Sequence, residues 1–242
     1  MTLSVLYLHH CGSFGGASRS LLELIQAFPE GEVKAFLVTP KGKVAEVFRA
    51  DHIDVLESQG ITQFDHTRFG FYRSVRWLIL FREIAYIPFT IISLFKAKYQ
   101  WKEIDIIHIN DITNVLSIML AKVVFRCPLV VHLRSVQQTK NGQLRRKLVS
   151  WLLKKAHIVI AIDTTVRNSF PIEQDVQIIH NGFNVDRKSI VNKNYKKDTF
   201  LARPMVIAFV GSLLVMKGIM EYLHAAKLCA DKGMNVKFIV VG

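Results

Sequence analysis

The chain has 242 residues, half of them hydrophobic, enough for one large domain and part of another. A formal net charge of +13 makes its surface attractive to nucleotides, nucleic acid or anionic lipid, and charge alone selects none of these. Three scattered cysteines, Cys11, Cys127 and Cys229, exclude a disulfide framework or a cysteine zinc site and favour a reducing, cytosolic setting.

The first segment, "LSVLYLHH", reads as a strand; it has neither the basic start nor the small-residue cleavage site of a secretory leader. It runs into "CGSFGGASRSLLELIQAF", three glycines ahead of a helix whose Leu21, Leu24, Ile25 and Phe28 share one face. Strand, glycine loop and helix entry form a setting in which backbone N–H groups and the positive helix end hold a phosphate. The dinucleotide pattern G-x-G-x-x-G is not met, because Gly12 and Gly15 are three apart. The end of the second strand, "LVTPKG", also lacks the acid such a site uses, and no P-loop G-K-[ST] is present.

"EVKAFLVTP" is a strand, "KVAEVFRADH" a short helix and "IDVLES" a third strand. The aromatic and basic stretch from Phe69 to Tyr99 should be helical on either side of Pro88. Within it Arg76 to Phe95 is apolar, but Arg82 and Glu83 interrupt it, Pro88 breaks its second half, and the uncharged piece from Ile84 to Leu94 is shorter than the roughly 20 residues of a membrane span. Next come strand "EIDIIHIND", helix "TNVLSIMLAKVVF", strand "CPLVVHLRS", helix "QLRRKLVSWLLKKA", strand "HIVIAID", short helix "TTVRNSF" and strand "DVQIIHNGF".

Apolar strands alternating with helices predict parallel βαβ units in a doubly wound α/β sheet over residues 1–190. Ligands of such sheets bind where loops leave the carboxyl ends of the strands. That singles out the glycine loop, Asn110 and Asp111, His132 to Ser135, Asp163, and Asn181 with Gly182. Turn capping suffices to explain Asp111 and Asp163. Residues 191–204 are polar, basic and aperiodic, and read as a linker; residues 205–242 begin a second Rossmann-like unit, incomplete at this length. There "FVGSLLVMKG" repeats the strand-glycine-helix plan, with Lys217 able to place its ammonium beside a phosphate.

These motifs resemble family-four, GT-B type retaining glycosyltransferases. "GGASRSLLEL" is similar to the family's G-G-A-x-R-x-L-x-E-L opening, through Gly15, Gly16, Ala17, Arg19, Leu21, Glu23 and Leu24. "DIIHIN" resembles its D-V-V-H strand, "VVHLRS" its strand-end histidine at His132, and "IIHNGFNVD" its turn at Asn181, Gly182 and Asp186. "FVGSLLVMKGI" is similar to the opening of its donor domain. The resemblance implies a two-domain enzyme that transfers a sugar from a nucleotide-sugar to a glycan or lipid-linked acceptor, with retention of configuration, no cofactor and no metal.

By position, Gly15, Gly16, Gly211, Ser212 and Lys217 would bind the donor, and His132 would lie beside the donor sugar as the catalytic-site residue. Arg19, Asn110, Arg134 and Asn181 would line the acceptor side or the cleft. Ser212 stands where the family commonly has arginine, so a charged fork is replaced by one neutral hydroxyl. The glutamate motif with which the family holds the nucleotide ribose has no candidate here, which implies that the 242 residues alone turn over poorly.

From Arg134 to Lys155 seven basic residues occur with no acid. Together with the aromatic segment this suits an anionic membrane surface, at the inner face of which a cytoplasmic enzyme of surface-polysaccharide synthesis would work. No nucleic-acid module is visible, and the aromatics sit in apolar runs rather than among spaced basic residues, which argues against RNA or DNA. Two other readings stay open at this level. One is a non-catalytic module that binds membrane, acceptor or a partner chain; the other is a sugar-nucleotide epimerase, for which acidic and histidine catalytic groups are not recognisably placed.

Overall fold

A computed structural model describes residues 2–64, 67, 74–137, 143–170, 175–182, 204–211 and 213–242. Two compact units divide the chain, Met1–Val185 and Asp186–Gly242. Apart from Pro204, the expected linker at 191–204 lies outside the described residues, as does Ser212.

In the first unit the elements alternate: β1 (Leu3–Leu8), α1 (Gly16–Gln26), β2 (Val33–Pro40), α2 (Lys43–Ala50), β3 (Asp54–Ser58), α3 (Ile79–Gln100) and β4 (Ile106–Ile109). They continue with α4 (Val115–Phe125), β5 (Leu129–Leu133), α5 (Gln143–Leu153), β6 (Ile158–Ala161), α6 (Thr164–Ser169) and β7 (Gln177–Ile178). All seven strands are parallel, in the order β3-β2-β1-β4-β5-β6-β7. The order reverses between β1 and β4, and at such a switch point the loops leaving the two strands diverge and open a crevice. The fold is the doubly wound, Rossmann-like sheet that the alternating pattern predicts.

Because successive side chains of a strand point to opposite faces, β1 feeds two cores. Leu6 and Leu8 join Ile107, Ile109, Leu94, Ile118 and Val131 on the side of α3, α4 and α5. Val5 and Tyr7 join Leu21, Leu37, Val44 and Phe48 under α1 and α2. Of the four apolar residues assigned to the α1 face, Leu21 is fully buried and Leu24 and Ile25 pack against this core. Phe28 corrects the expectation: α1 ends at Gln26, so Phe28 leaves the helical face and is exposed.

Pro88 gives a second correction. It lies inside one continuous 22-residue helix, α3. A proline has no N–H for the carbonyl four residues back and crowds it. Here Pro88 is on the exposed side, where the Ile84 carbonyl can turn to water, and Thr90 Oγ1 donates to the Tyr86 carbonyl at 3.0 Å in the next turn. None of the described helices is long and apolar enough to cross a membrane.

The second unit contains β8 (Met205–Val210), a 3₁₀ turn (Val215–Lys217), α7 (Ile219–Asp231) and β9 (Val236–Val241). β8 and β9 pair in parallel. Tyr222 of α7 packs its ring against Phe209 and Phe238, and its hydroxyl accepts a hydrogen bond from the Ile239 amide at 3.0 Å. This single βαβ layer leaves Met205, Val206, Val210 and Val241 exposed.

Candidate functional site

On β4 and β5 the strand alternation decides which side chains face the crevice. Ile107, Ile109, Leu129, Val131 and Leu133 enter the large core, so His108 and His132 take the opposite face. Asn110 and Arg134, one step beyond the strands, continue that alternation. The His108 and His132 rings stand 5.4 Å apart, and the Tyr7 ring is 5.2 Å from His108.

Arg134 ties these groups together. Its Nε donates to Asn110 Oδ1 at 2.7 Å, and one terminal nitrogen donates to Ser20 Oγ at 2.8 Å and Asn181 Oδ1 at 3.0 Å. The other terminal nitrogen lies 3.3 Å from His132 Nδ1. A guanidinium only donates, so every hydrogen in the network acquires a direction. His132 Nδ1 accepts, which leaves the hydrogen of the neutral ring on Nε2. Asn110 Oδ1 is used by Arg134, so its Nδ2 donates to His9 Nδ1 at 2.9 Å and to the Ala17 carbonyl at 3.3 Å. His9 also carries its hydrogen on Nε2. Ser20 Oγ donates in turn to Asn181 Oδ1 at 2.6 Å.

Burial dominates the titration of this cluster. It pushes His132 down to about 2, with the Arg134 charge and His108 acting in the same direction. His9 and His108 fall to about 3, mainly by burial, with Arg134 contributing to both and His10 to His9. Burial also brings Arg134 down to about 10, opposed by Asp111, so it stays charged at neutral pH. The Tyr7 phenol is pushed up to about 12 by burial. The site therefore presents neutral imidazoles beside a fixed cation. Near pH 7, His132 is a hydrogen-bond donor through Nε2 rather than a proton shuttle, and that atom has no protein partner among the described residues.

His132 and Arg134 line a cavity of about 430 Å³ with Ser20, Glu23, Leu24, Asn181 and Gly182. Three strand exits and one face of α1 thus bring together His132, Arg134 and Asn181 of the predicted set, and Asn110 joins through Arg134. Arg19 is placed differently. Its side chain is 71% exposed, 3.6 Å from Glu23, and it does not line this cavity. Gly211 and Lys217 belong to the second unit; Lys217 ends the 3₁₀ turn and precedes Gly218, whose φ of +85° opens α7.

The glycine loop separates into two functions. A Cβ on Gly12 would come within 2.3 Å of the Lys41 carbonyl oxygen, and one on Gly42 within 2.6 Å of the Gly12 oxygen. Gly12 is therefore a packing glycine that lets two loops touch, and the Val44 amide donates to its carbonyl at 3.0 Å. Gly15 and Gly16 face open space. The Gly15 amide is engaged by Ser18 Oγ at 2.7 Å, which leaves the first-turn amides of Gly16 and Ala17 without intrahelical acceptors. Asp163 Oδ1 caps α6 by accepting from the Val166 amide, and Asp111 accepts from Ser135 Oγ and the Thr113 amide. Both are turn-forming carboxylates, as their positions suggested.

The sequence reading missed Ser20, which stands one helical turn after Gly16 on the cavity side. It also left His9 and His108 undecided. The available signal was period two: H-I-N at 108–110 and H-L-R at 132–134 are polar at alternate positions of otherwise apolar strands.

The doubly wound sheet, with a cavity between α1 and the carboxyl ends of β5 and β7, defines a Rossmann-like α/β protein. The chain belongs to Glycosyltransferase Family 4, whose family profile matches residues 14–187. Among solved structures it is similar to Anabaena Alr3699/HepE in complex with UDP and glucose, with 20% identity, a TM-score of 0.67, and coverage of 98% of this chain and 60% of that one. It is similar to a glycosyltransferase from Rickettsia africae ESF-5 at 14% identity and TM-score 0.67, covering 100% and 60% of the two chains. Sucrose-phosphate synthase from Thermosynechococcus elongatus follows at 17% and 0.60, covering 99% and 62%. The chain thus spans about three fifths of the length of these structures. A sequence search of curated proteins finds no match.

Proposed function

We propose that the protein transfers a sugar, with retention of configuration, from a nucleoside-diphosphate sugar to a glycan or lipid-linked acceptor in cell-surface polysaccharide synthesis. The work is done at the inner face of the membrane. The observation that carries this reading is the cavity that His132 lines beside the pinned Arg134 cation, with the neutral His132 Nε2–H buried and without a partner among the described residues. A sugar hydroxyl that reaches it is a fitting acceptor for that hydrogen. Family membership and the UDP-sugar complexes of HepE support a nucleotide-sugar as the donor.

In the reaction the bond from the anomeric carbon to the diphosphate oxygen breaks, a bond to the acceptor oxygen forms on the same face, and the acceptor proton passes to the departing diphosphate. Negative charge grows on the leaving group. In the first unit the open helix entry at Gly15 and Gly16 offers N–H groups suited to such a charge; in the second, taken by itself, Lys217 with Gly211 and Ser212 offers an ammonium and polar groups suited to a diphosphate, and neither set calls for a metal ion or cofactor. Because the described residues of the second unit form one open βαβ layer, donor affinity of the 242 residues by themselves is expected to be weak.

The test is nucleoside diphosphate release from a panel of nucleotide-sugars, with the product's anomeric configuration read by NMR. Exchanging His132→Ala should lower kcat/KM by roughly 100-fold, the scale for losing one preorganised donor. An inverted product would overturn retention. An unchanged rate in the variant would remove His132 from the reaction.

A further inference from the structure

α3 is turned inside out. The side chains it buries are Glu83, Thr90, Ser93, Leu94 and Ala97, of which three are polar. Glu83 and Thr90 hold the helix to the loop after β3. The Thr62 amide donates to Thr90 Oγ1 at 2.8 Å, Thr62 Oγ1 donates to the Glu83 carbonyl at 2.7 Å, and the Gln63 amide donates to Glu83 Oε2 at 2.8 Å. The Tyr86 ring lies over Gly60, where a Cβ would come within 2.4 Å.

The outward side carries Phe81, Ile84, Ile92, Phe95 and Tyr99, all exposed, Phe81 at 71% and Tyr99 at 84%. With Pro88 they recur every three or four residues, the spacing of one continuous helical stripe. The 22-residue helix is about 33 Å long, and the stripe from Phe81 to Tyr99 covers about 27 Å of it. The 3₁₀ turn Ser74–Leu78 extends it with exposed Val75, Trp77 and Leu78. At its far end a groove of about 430 Å³ opens among Ile91, Ile92, Phe95, Lys96 and Tyr99.

Charge identifies what covers the stripe. The helix has one acid, Glu83, which is buried and paired with Arg82. The exposed surface of the helix therefore shows no negative group, while Lys96 stands exposed on it; just past the helix Lys102 and Glu103 are both exposed, and the whole chain carries +13. A long apolar stripe, aromatic rings at both ends, and a helix that exposes basic residues but no acid match the interfacial zone of an anionic bilayer. We infer that the outward face of α3, from Trp77 to Tyr99, lies in the headgroup boundary of an anionic membrane and docks the protein on it. The inference rests on the membrane-face part of the proposed function and locates it on one helix; it requires no sugar transfer, so its failure and that of the transferase reading are separable.

The 242-residue chain is mixed with phosphatidylcholine vesicles with and without phosphatidylglycerol, and flotation is measured. The wild type should float with the anionic vesicles and be released by high salt. The triple exchange Phe81→Ser, Ile84→Ser and Phe95→Ser touches exposed side chains only and should lower partitioning at least about 100-fold while far-UV circular dichroism stays unchanged. Lys96→Glu with Lys102→Glu should weaken binding to anionic vesicles by roughly tenfold and leave neutral ones unaffected. Should the triple variant not fold, quenching of the wild type by brominated lipid that disappears in Trp77→Phe makes the same case. Failure of the wild type to float, undiminished flotation of a folded triple variant, or quenching unchanged in Trp77→Phe overturns the inference. So does a lipid-free dimer that the triple exchange dissolves, since a second copy would then cover the stripe.

Discussion

The two faces of the seven-stranded sheet are built on opposite principles. Toward α3, α4 and α5, the strands present Leu6, Leu8, Ile107, Ile109 and Val131, which need only be apolar and of the right volume. Toward α1, the carboxyl ends of β4 and β5 present His108, Asn110, His132 and Arg134, of which Asn110, Arg134 and His132 Nδ1 are locked into one directional arrangement. The first face supplies stability and tolerates exchange. The second fixes hydrogen directions at a loss of stability, since three imidazoles are held neutral by burial.

The largest break of this contrast comes from the apolar face. Ile107 is fully buried, and Ile107→Ala should cost roughly 3 kcal/mol in urea unfolding, from lost transfer energy and the cavity left behind. The Arg134 network lies on the other side of the sheet, so donor binding by the folded fraction should be unchanged.

The polar face breaks with acid. In the unfolded chain histidine binds a proton below about pH 6.5, whereas in the folded protein His9 and His108 do so only near 3 and His132 near 2. Between these limits the unfolded state holds more protons, so stability is complete above pH 6.5 and falls as pH drops toward 3. The slope is at most about 1.4 kcal/mol per pH unit for each histidine. Melting temperatures across pH 4 to 8, roughly the window of ordinary histidine titration, check this, and His108→Leu should flatten the curve by one histidine's share. Stability that is flat below pH 6 would contradict the neutral cluster.

The smallest effect lies outside both faces. Arg19, largely exposed, pairs with the partly buried Glu23 one turn on, so Arg19→Ala should change stability by less than about 0.5 kcal/mol. Donor binding intact together with altered acceptor use would return Arg19 to the cleft.

Much of this was legible in the sequence, for identifiable reasons. Strand and helix order follows from apolar period and turn residues, and the strand-exit rule reaches His132, Arg134, Asn110 and Asn181 without coordinates. What escaped depended on partners distant along the chain. Gly12 belongs to the same glycine-rich string as Gly15 and Gly16, but its role is set by Lys41 and Gly42, some thirty residues on. The stretch around Pro88 is apolar nearly all round, and such a pattern does not say which side a fold will cover. The choice was made by Thr90 and Glu83, whose partners in the loop after β3 draw the polar side inward. Lys140 and the side chains of Arg145 and Arg146, part of the basic run read as membrane-facing, lie outside what the structure describes.

The contact between Gly12 and Gly42 has a mechanical meaning for the loop that begins α1. Behind it, the Gly12 carbonyl accepts from Val44, and Thr39 Oγ1 donates to the Cys11 carbonyl at 3.3 Å, so the entry of α2 acts as a buttress. In front, Gly15 and Gly16 present bare backbone to open space. A group arriving there meets a surface braced from the rear, and little ordering of the loop is left to be done on binding.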